Sequence, residues 1–502
     1  MTLKSNPDPV ATAVRLDRRL ERQRARTGAT IDARGDSGVY LLSDAVAALS
    51  HALDISEGHG PQHGLRTAVI GMRIGHQLGL DATTSHDLYY ALLLKDLGAS
   101  SNASQIFHLF GADDRRLKRA LRSVDLGDIN EGSWFMLSQL RGSVPLIKRL
   151  RYVMEMGLGR FHAGHTLTRN RAERGAQLAL DMGMGTTVAD AIRATGERHD
   201  GRGHPFGLSG AAIPLLARIT ALAQVVEPAY AEGGPEAAKQ VATQGRGERF
   251  DPEVVDALLT LANNDRLWYD LEGDSVWRSL TEVAPNEHPA LVDDECFDRV
   301  AEVMARVIDA KSPWTYKHSS RVKDIALGIA FELPGVEADV ERVRALVRGA
   351  LLHDIGTLGV SNGVLDKPTN LVNSELETVQ RHTAYSEHIL SWVRPFQEAV
   401  PFAAGHHERV DGRGYHGAVP AKLLDLDVRV LAVADQFEAL TSSRPHRDAF
   451  SPEDALGILA ADAGFGVDEA ALAALERFLT TSAAAPLMAP RRFDVEQLVI
   501  IG

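Results

Sequence analysis

From Tyr40 onward, apolar residues return every three or four positions. Leu41, Leu42, Val46, Leu49 and Leu53 would share one face of a helix, and so would Leu346, Val347, Ala350 and Leu351. Ala-, Leu- and Glu-rich stretches of this kind recur throughout, and the strict alternation of a half-buried strand is almost absent. The pattern predicts an all-α fold. Residues 1–36 break the pattern: they are polar and Arg-rich, with Pro7, Gly28 and Gly35. They are expected to form a largely disordered arm, with a short helix around Val14 to Arg24.

The helical pattern also repeats. Glu197-Arg198-His199-Asp200-Gly201-Arg202-Gly203-His204-Pro205 matches Glu408-Arg409-Val410-Asp411-Gly412-Arg413-Gly414-Tyr415-His416 at an offset of 211 residues. The offset is unchanged at Arg218 and Arg429. Upstream, Leu93-Leu94-Lys95-Asp96-Leu97-Gly98 aligns with Leu351-Leu352-His353-Asp354-Ile355-Gly356, and His63 aligns with His318. Such self-similarity predicts two tandem helical bundles of one ancestry. Residues 37–285 form the first and 286–502 the second, with the boundary in the Pro-rich stretch from Glu282 to Leu291. The first copy carries an insertion at about 100–168 that contains Trp134, Phe135 and the basic run Lys148 to Arg151.

Composition narrows the chemistry. A length of 502 residues implies two to four domains at roughly 150 residues each. The formal net charge of −13 disfavours clamping of long nucleic acid, but not a small anionic substrate in a local pocket. A single cysteine, Cys296, excludes an intrachain disulfide framework and a Cys-rich zinc site. No apolar run approaches a membrane span, and the opening MTLKSNPDPV lacks the apolar core of a secretory signal. A cytoplasmic protein without membrane attachment is expected.

The second copy concentrates His318, His353-Asp354, His382, His406-His407 and Asp435. Imidazoles with carboxylates and no thiolate suit iron, manganese, zinc, cobalt or nickel. Asp354 stands among Leu351, Leu352 and Ile355. A charge buried there is costly unless something compensates it, as a cation would. Any one of these residues alone could be a satisfied core histidine or a helix-end carboxylate; seven in this order are not explained so. Two metal ions that share a carboxylate form a site suited to phosphodiester hydrolysis.

The motifs HDIG at 353–356, LDKP at 365–368, HTAYSEHIL at 382–390, HHERVDGRGY at 406–415 and VADQFEALTSSRPHR at 433–447 resemble the HD-GYP branch of the HD superfamily of metal-dependent phosphohydrolases. The resemblance covers about 300–480. It implies an all-helical fold and hydrolysis of a cyclic dinucleotide, usually cyclic di-GMP, to the linear dinucleotide or GMP. It also implies two divalent metals, most often iron or manganese. One would sit on His318, His353, Asp354 and Asp435. The other would share Asp354 and add His382, His406 and His407. Four positions depart from the family pattern. Thr357 replaces the usual lysine beside the substrate phosphate, His416 replaces the proline of the naming triplet, and Trp314 replaces the glutamate of three-metal members. Glu438 stands where aspartate is usual. Arg409 and Arg413 are the remaining candidates for phosphate or guanine contacts. Arg444 is expected to pair with a carboxylate at a helix end, and His388 to be solvated.

The same alignment turns His353 into Lys95, His382 into Arg171, His406-His407 into Thr195-Gly196 and Asp435 into Gln224. The first copy is therefore expected to hold no catalytic metal, with cations neutralising Asp96. Its expected role is structural, dimerising or sensory, through a homodimer or a partner protein. Three functions stay open: a cyclic-dinucleotide phosphodiesterase, a phosphohydrolase of another phosphoester, or a non-catalytic nucleotide-binding scaffold.

Overall fold

The computed structural model describes residues 41–60, 62–104, 162–273, 275–285, 293–336 and 339–489. The expected arm at 1–36, most of the expected insertion, and 286–292 within the expected boundary lie outside the described residues. Eighteen α-helices and no strand occur among the described residues, in keeping with the all-α expectation.

The first half contains α1 (Leu42–Glu57), α2 (His63–Gln77), α3 (Ala82–Leu94), α4 (His162–Asp181), α5 (Thr186–Arg193), α6 (Leu215–Gln244), α7 (Pro252–Ala262), α8 (Asp265–Tyr269) and α9 (Ser275–Val283). The second contains α10 (Asp294–Asp309), α11 (His318–Phe331), α12 (Val340–Leu352), α13 (Asn362–Leu365), α14 (Asn373–Ser391), α15 (Val400–Gly405), α16 (Leu426–Thr441), α17 (Pro452–Ala461) and α18 (Glu469–Leu479). Short polar residues start many of them. The side chains of Asp81, Asp251, Asp293, Asp339, Ser451 and Asp468 each accept a first-turn backbone N–H that the helix leaves unpaired.

The sequence repeat is matched by a repeat of contacts. Asp54 accepts the backbone N–H of Gly64 at the start of α2, and Asp309 accepts that of Ser319 at the start of α11. Glu197 accepts the N–H groups of Phe206 and Leu208, and Glu408 those of Gly417 and Val419. Two glycines show why that residue recurs. A Cβ on Gly98 would lie 2.0 Å from the Arg171 carbonyl oxygen, and one on Gly356 would lie 2.0 Å from that of His382. Only glycine lets the turn after Asp96 or Asp354 rest directly on the backbone of α4 or α14.

One apolar core runs through both halves. It joins Val46, Leu49 and Leu53 of α1 to Phe297, Val300 and Met304 of α10, and continues to Leu352, Ile355, Leu358 and Ile389. A second core lies among α11, α16 and α18, with Ile325, Ile329, Leu431, Phe437 and Leu475. The turn that follows Asp354 therefore packs on the first half, while α11 and α16 carry a core of their own.

Burial pushes the Asp54 carboxyl up to about 8 and that of Asp309 up to about 7. A carboxyl raised on folding contributes stability that is complete below its ordinary range and is lost as pH rises through the raised value. Between about pH 6 and about pH 8, Asp54→Asn should remove about 2 kcal/mol of the pH-dependent loss of stability. Urea unfolding of both proteins across this range would measure it; parallel curves would contradict the assignment.

Candidate active site

The seven predicted ligand side chains are delivered by five features of the second half. His318 opens α11, and His353 and Asp354 follow the last residue of α12. His382 lies within α14, His406 and His407 directly follow α15, and Asp435 lies within α16. The structure brings all seven together. Asp354 is central. Its Oδ1 faces Nε2 of His382 at 3.2 Å and of His406 at 3.8 Å. Its Oδ2 faces Nε2 of His353 at 3.7 Å and of His318 at 3.8 Å. Asp435 Oδ1 lies 3.2 Å from His318 Nε2, and its Oδ2 lies 4.0 Å from His407 Nδ1.

The imidazoles are turned so that lone pairs converge. The Nδ1–H groups of His353, His382 and His406 donate to the carbonyl oxygens of Ala350, Val379 and Ala403, at 2.8, 2.7 and 3.0 Å. A carbonyl can only accept, so each ring is fixed with Nε2 unprotonated in its neutral form. Nε2 of His382 then stands 3.1 Å from Nε2 of His406. Two lone pairs that close repel unless a cation or proton lies between them. The buried His353 Nε2 has no hydrogen-bond partner. Burial and the surrounding imidazoles hold His406 and His407 well below the ordinary imidazole range, and hence neutral. Burial opposes the charge on Asp354, but the surrounding histidines outweigh it and hold the carboxyl well below its usual range. Burial opposes charge on His318 and His382 too, but neighbouring carboxylates outweigh it and raise both. Convergent imidazole nitrogens around an ionised carboxylate thus fit divalent metal ions that would replace those protons.

The donors are not equally sheltered. The side chains of His318, His353, His382 and His406 are at most 4% exposed, whereas Asp354 keeps 16% and His407 27%. On that more open side the Tyr415 ring lies 4.8 Å from that of His407.

The other candidates divide. Thr357 turns its hydroxyl back to the Asp354 carbonyl at 2.7 Å and offers no positive charge. The Arg409 guanidinium donates to both oxygens of Asp462, at 2.9 and 3.0 Å, and also to Asp411. Arg413 has an exposed side chain, and its backbone N–H donates to Asp411. His416 pairs with Glu387 at 2.9 Å. His388 is not solvated as expected: its ring packs edge-on against those of His51 and Trp392. That contact bridges the two halves, so spacing along α14 alone does not reveal it. Arg444 faces the carboxylate of Glu438 at 3.7 Å.

Glu438, which the motifs mark only as a departure from the family pattern, accepts from His318 Nδ1 at 2.6 Å. The available signal was the repeat, which keeps Glu227 at the matching position.

In the first half, Lys95 is paired with Asp96, and Arg171 donates to Asp96 at 2.7 Å while lying 3.0 Å from Glu57. His63 is hydrogen-bonded through Nδ1 to Glu227 and stacks on His59 with ring centroids 3.7 Å apart. Burial opposes ionisation of Asp96, but Lys95 and Arg171 overcome it and hold the carboxyl well below its ordinary range.

Residues 302–470 match the family model described as HD domain. Over 440 residues the chain is 35% identical to the 3'3'-cGAMP-specific phosphodiesterase 3 of Vibrio cholerae, covering 88% of this chain and 95% of that protein. The chain belongs to the HD-GYP branch of the HD-domain family. The crystal structure of the V. cholerae cyclic GMP-AMP-specific phosphodiesterase V-cGAP3 superposes on this HD-GYP protein with a TM-score of 0.60 at 32% identity. It covers 88% of this chain and 98% of that one. The cyclic di-GMP phosphodiesterase response regulator of Xanthomonas campestris is 34% identical over 176 residues, 35% of this chain and 46% of that protein. As an HD-GYP protein the chain is an enzyme, a hydrolase of phosphodiesters. No helix among the described residues is long and apolar enough to cross a membrane.

Proposed function

We propose that this HD-GYP protein hydrolyses a phosphodiester bond of a 3'3'-cyclic dinucleotide at the Asp354 centre, with cyclic GMP-AMP as the leading substrate and cyclic di-GMP as the second. The observation that carries the reading is the division of Asp354, whose two oxygens face different pairs of histidine Nε2 atoms. His318, His353 and Asp435 would hold one divalent ion with Asp354, and His382, His406 and His407 the other. Iron and manganese are the first candidates. Such ions supply positive charge to the phosphoryl oxygens and acidify water.

The protein's own part is orientation and exclusion of water. Helical carbonyls fix three rings, and among the donors Asp354 and His407 keep the most exposure. With no cation at Thr357, charge recognition of the substrate outside the metal ions falls to Arg413, the exposed arginine of the 411–416 loop. A substrate contact by Arg409 would first have to break its two-point pair with Asp462.

The choice of substrate rests on how far the similarity extends. The relative named for 3'3'-cGAMP matches across both halves, whereas the X. campestris relative named for cyclic di-GMP matches only about a third of the chain. Protein purified without oxygen and loaded with Mn²⁺ or Fe²⁺ should release linear dinucleotide, and chelation should stop it. On a panel with cyclic di-GMP and cyclic mononucleotides, cyclic GMP-AMP should be preferred by about 10-fold or more in kcat/KM. Turnover confined to a mononucleotide would overturn the reading in favour of another phosphoester. Absence of product from metal-loaded protein would favour a binding scaffold.

A further inference from the structure

The histidines of the Asp354 centre are not all oriented in the same way. His353, His382 and His406 each follow a helical turn and donate Nδ1–H to the carbonyl three residues back. His318 is the first residue of α11, so the residue three positions behind it, Thr315, belongs to the preceding short 3-10 turn and not to its own helix. Its Nδ1 meets Glu438 Oε2 instead, at 2.6 Å. Glu438 follows Asp435 by three positions on α16, which places both on one face of that helix. The two carboxylates bracket one ring: Asp435 lies at Nε2, 3.2 Å away, and Glu438 at Nδ1. Glu438 is 1% exposed and is itself held, by the Ser442 hydroxyl at 2.7 Å and by Arg321 at 3.3 Å.

We infer that Glu438 is a positioning residue of the metal centre, fixing His318 with its proton on Nδ1 so that Nε2 is presented beside Asp435. The inference rests on the reading of the Asp354 centre as a metal centre. An imidazole that donates to a buried carboxylate is both aimed and made a better donor at its other nitrogen. A neutral amide in place of Glu438 would weaken both effects, since it carries no charge and can turn its NH₂ toward the ring.

The first half supplies an internal control. Glu227 accepts from His63 Nδ1 and pairs with Arg66, reproducing the Glu438–His318–Arg321 arrangement. There the partner of Asp435 is Gln224, and Lys95 and Arg171 neutralise Asp96. The same carboxylate–imidazole pair therefore exists in one chain with and without the surrounding donor set. A purely structural role would make the two glutamates equivalent. A positioning role would make only Glu438 matter to metal.

The experiment compares Glu438→Gln and Glu227→Gln in the full chain by metal content after gel filtration and by calorimetric Mn²⁺ titration, with circular dichroism to verify folding. E438Q should weaken the affinity at one of two ions by about 10–100-fold. E227Q should leave both ions bound as in wild type. Ser442→Ala, which removes one of the two contacts at Glu438 Oε1, should weaken the same ion by about 3–10-fold and serves if E438Q does not fold. Wild-type Mn²⁺ binding in folded E438Q, or equal weakening in E227Q, would overturn the inference. Asp354→Ala separates the two levels. If it strips metal while E438Q binds normally, only the positioning role fails. If it leaves metal untouched, the metal-centre reading fails and the inference falls with it.

Discussion

Asp354→Ala should lower turnover of the cyclic dinucleotide by about 10³-fold or more and release bound metal. Asp354 is the only one of the seven candidate donors whose two oxygens face different histidine pairs, His318 and His353 on one side and His382 and His406 on the other. Removing any single imidazole leaves the opposite pair with its carboxylate. Removing Asp354 takes the shared carboxylate from both pairs, leaves His318 and His353 with Asp435 alone, and leaves the lone pairs of His382 and His406 facing one another at 3.1 Å. Two results should accompany the loss of turnover. Metal content measured by emission spectroscopy should fall from about two ions per chain toward none. His353→Ala should reduce turnover but retain part of the metal. Full metal content in folded Asp354→Ala would show that the carboxylate does not join the two sets. The substitution should cost little in folding, because the carboxylate is partly exposed and occupies the turn after α12 rather than a core position.

Much of this is legible in the amino-acid sequence. Apolar spacing gave the helices, since a buried helical face has no other means of hiding from water. The internal repeat did more, because it showed where His353 had become Lys95 and His382 had become Arg171. What stayed hidden depends on three-dimensional partners. Arg409 reads as a phosphate contact until Asp462, 53 residues on, takes both of its donor edges. His388 reads as a surface residue until α1 brings His51 against it. Glu438 reads as a mild departure until α11 is seen to begin at His318, which leaves that ring without a preceding turn of its own helix. Nor does the pattern reveal that Ile355 and Leu358 share a core with α1 of the first half: they read simply as apolar, and an apolar residue does not name its neighbour.

The first half offers the other large effect, on stability. Lys95→Met should destabilise the protein by about 3 kcal/mol, because it leaves a buried carboxylate short of one cation. Lys95 and Asp96 are 7% and 6% exposed. Around them Lys95 and Arg171 balance Asp96 and Glu57, so the cluster as a whole is neutral. Methionine preserves length and volume and removes only the charge, so the loss is electrostatic rather than a cavity. The sign of its pH dependence follows. Asp96 is held below its ordinary range, so the stability it contributes is present above that range and is lost as pH falls through the depressed value. The penalty of Lys95→Met should therefore be greatest near neutrality and shrink in acid. Charge balance also predicts a rescue. Lys95→Met with Asp96→Asn returns the cluster to neutrality, with Arg171 facing Glu57, and should recover about 2 kcal/mol relative to Lys95→Met alone. Metal content and turnover of the folded variants should match wild type, since the second half keeps every donor. Urea unfolding of the two single variants and the double variant decides the matter. A double variant less stable than Lys95→Met would mean that Asp96 is held by its hydrogen-bond geometry rather than by the balance of charge.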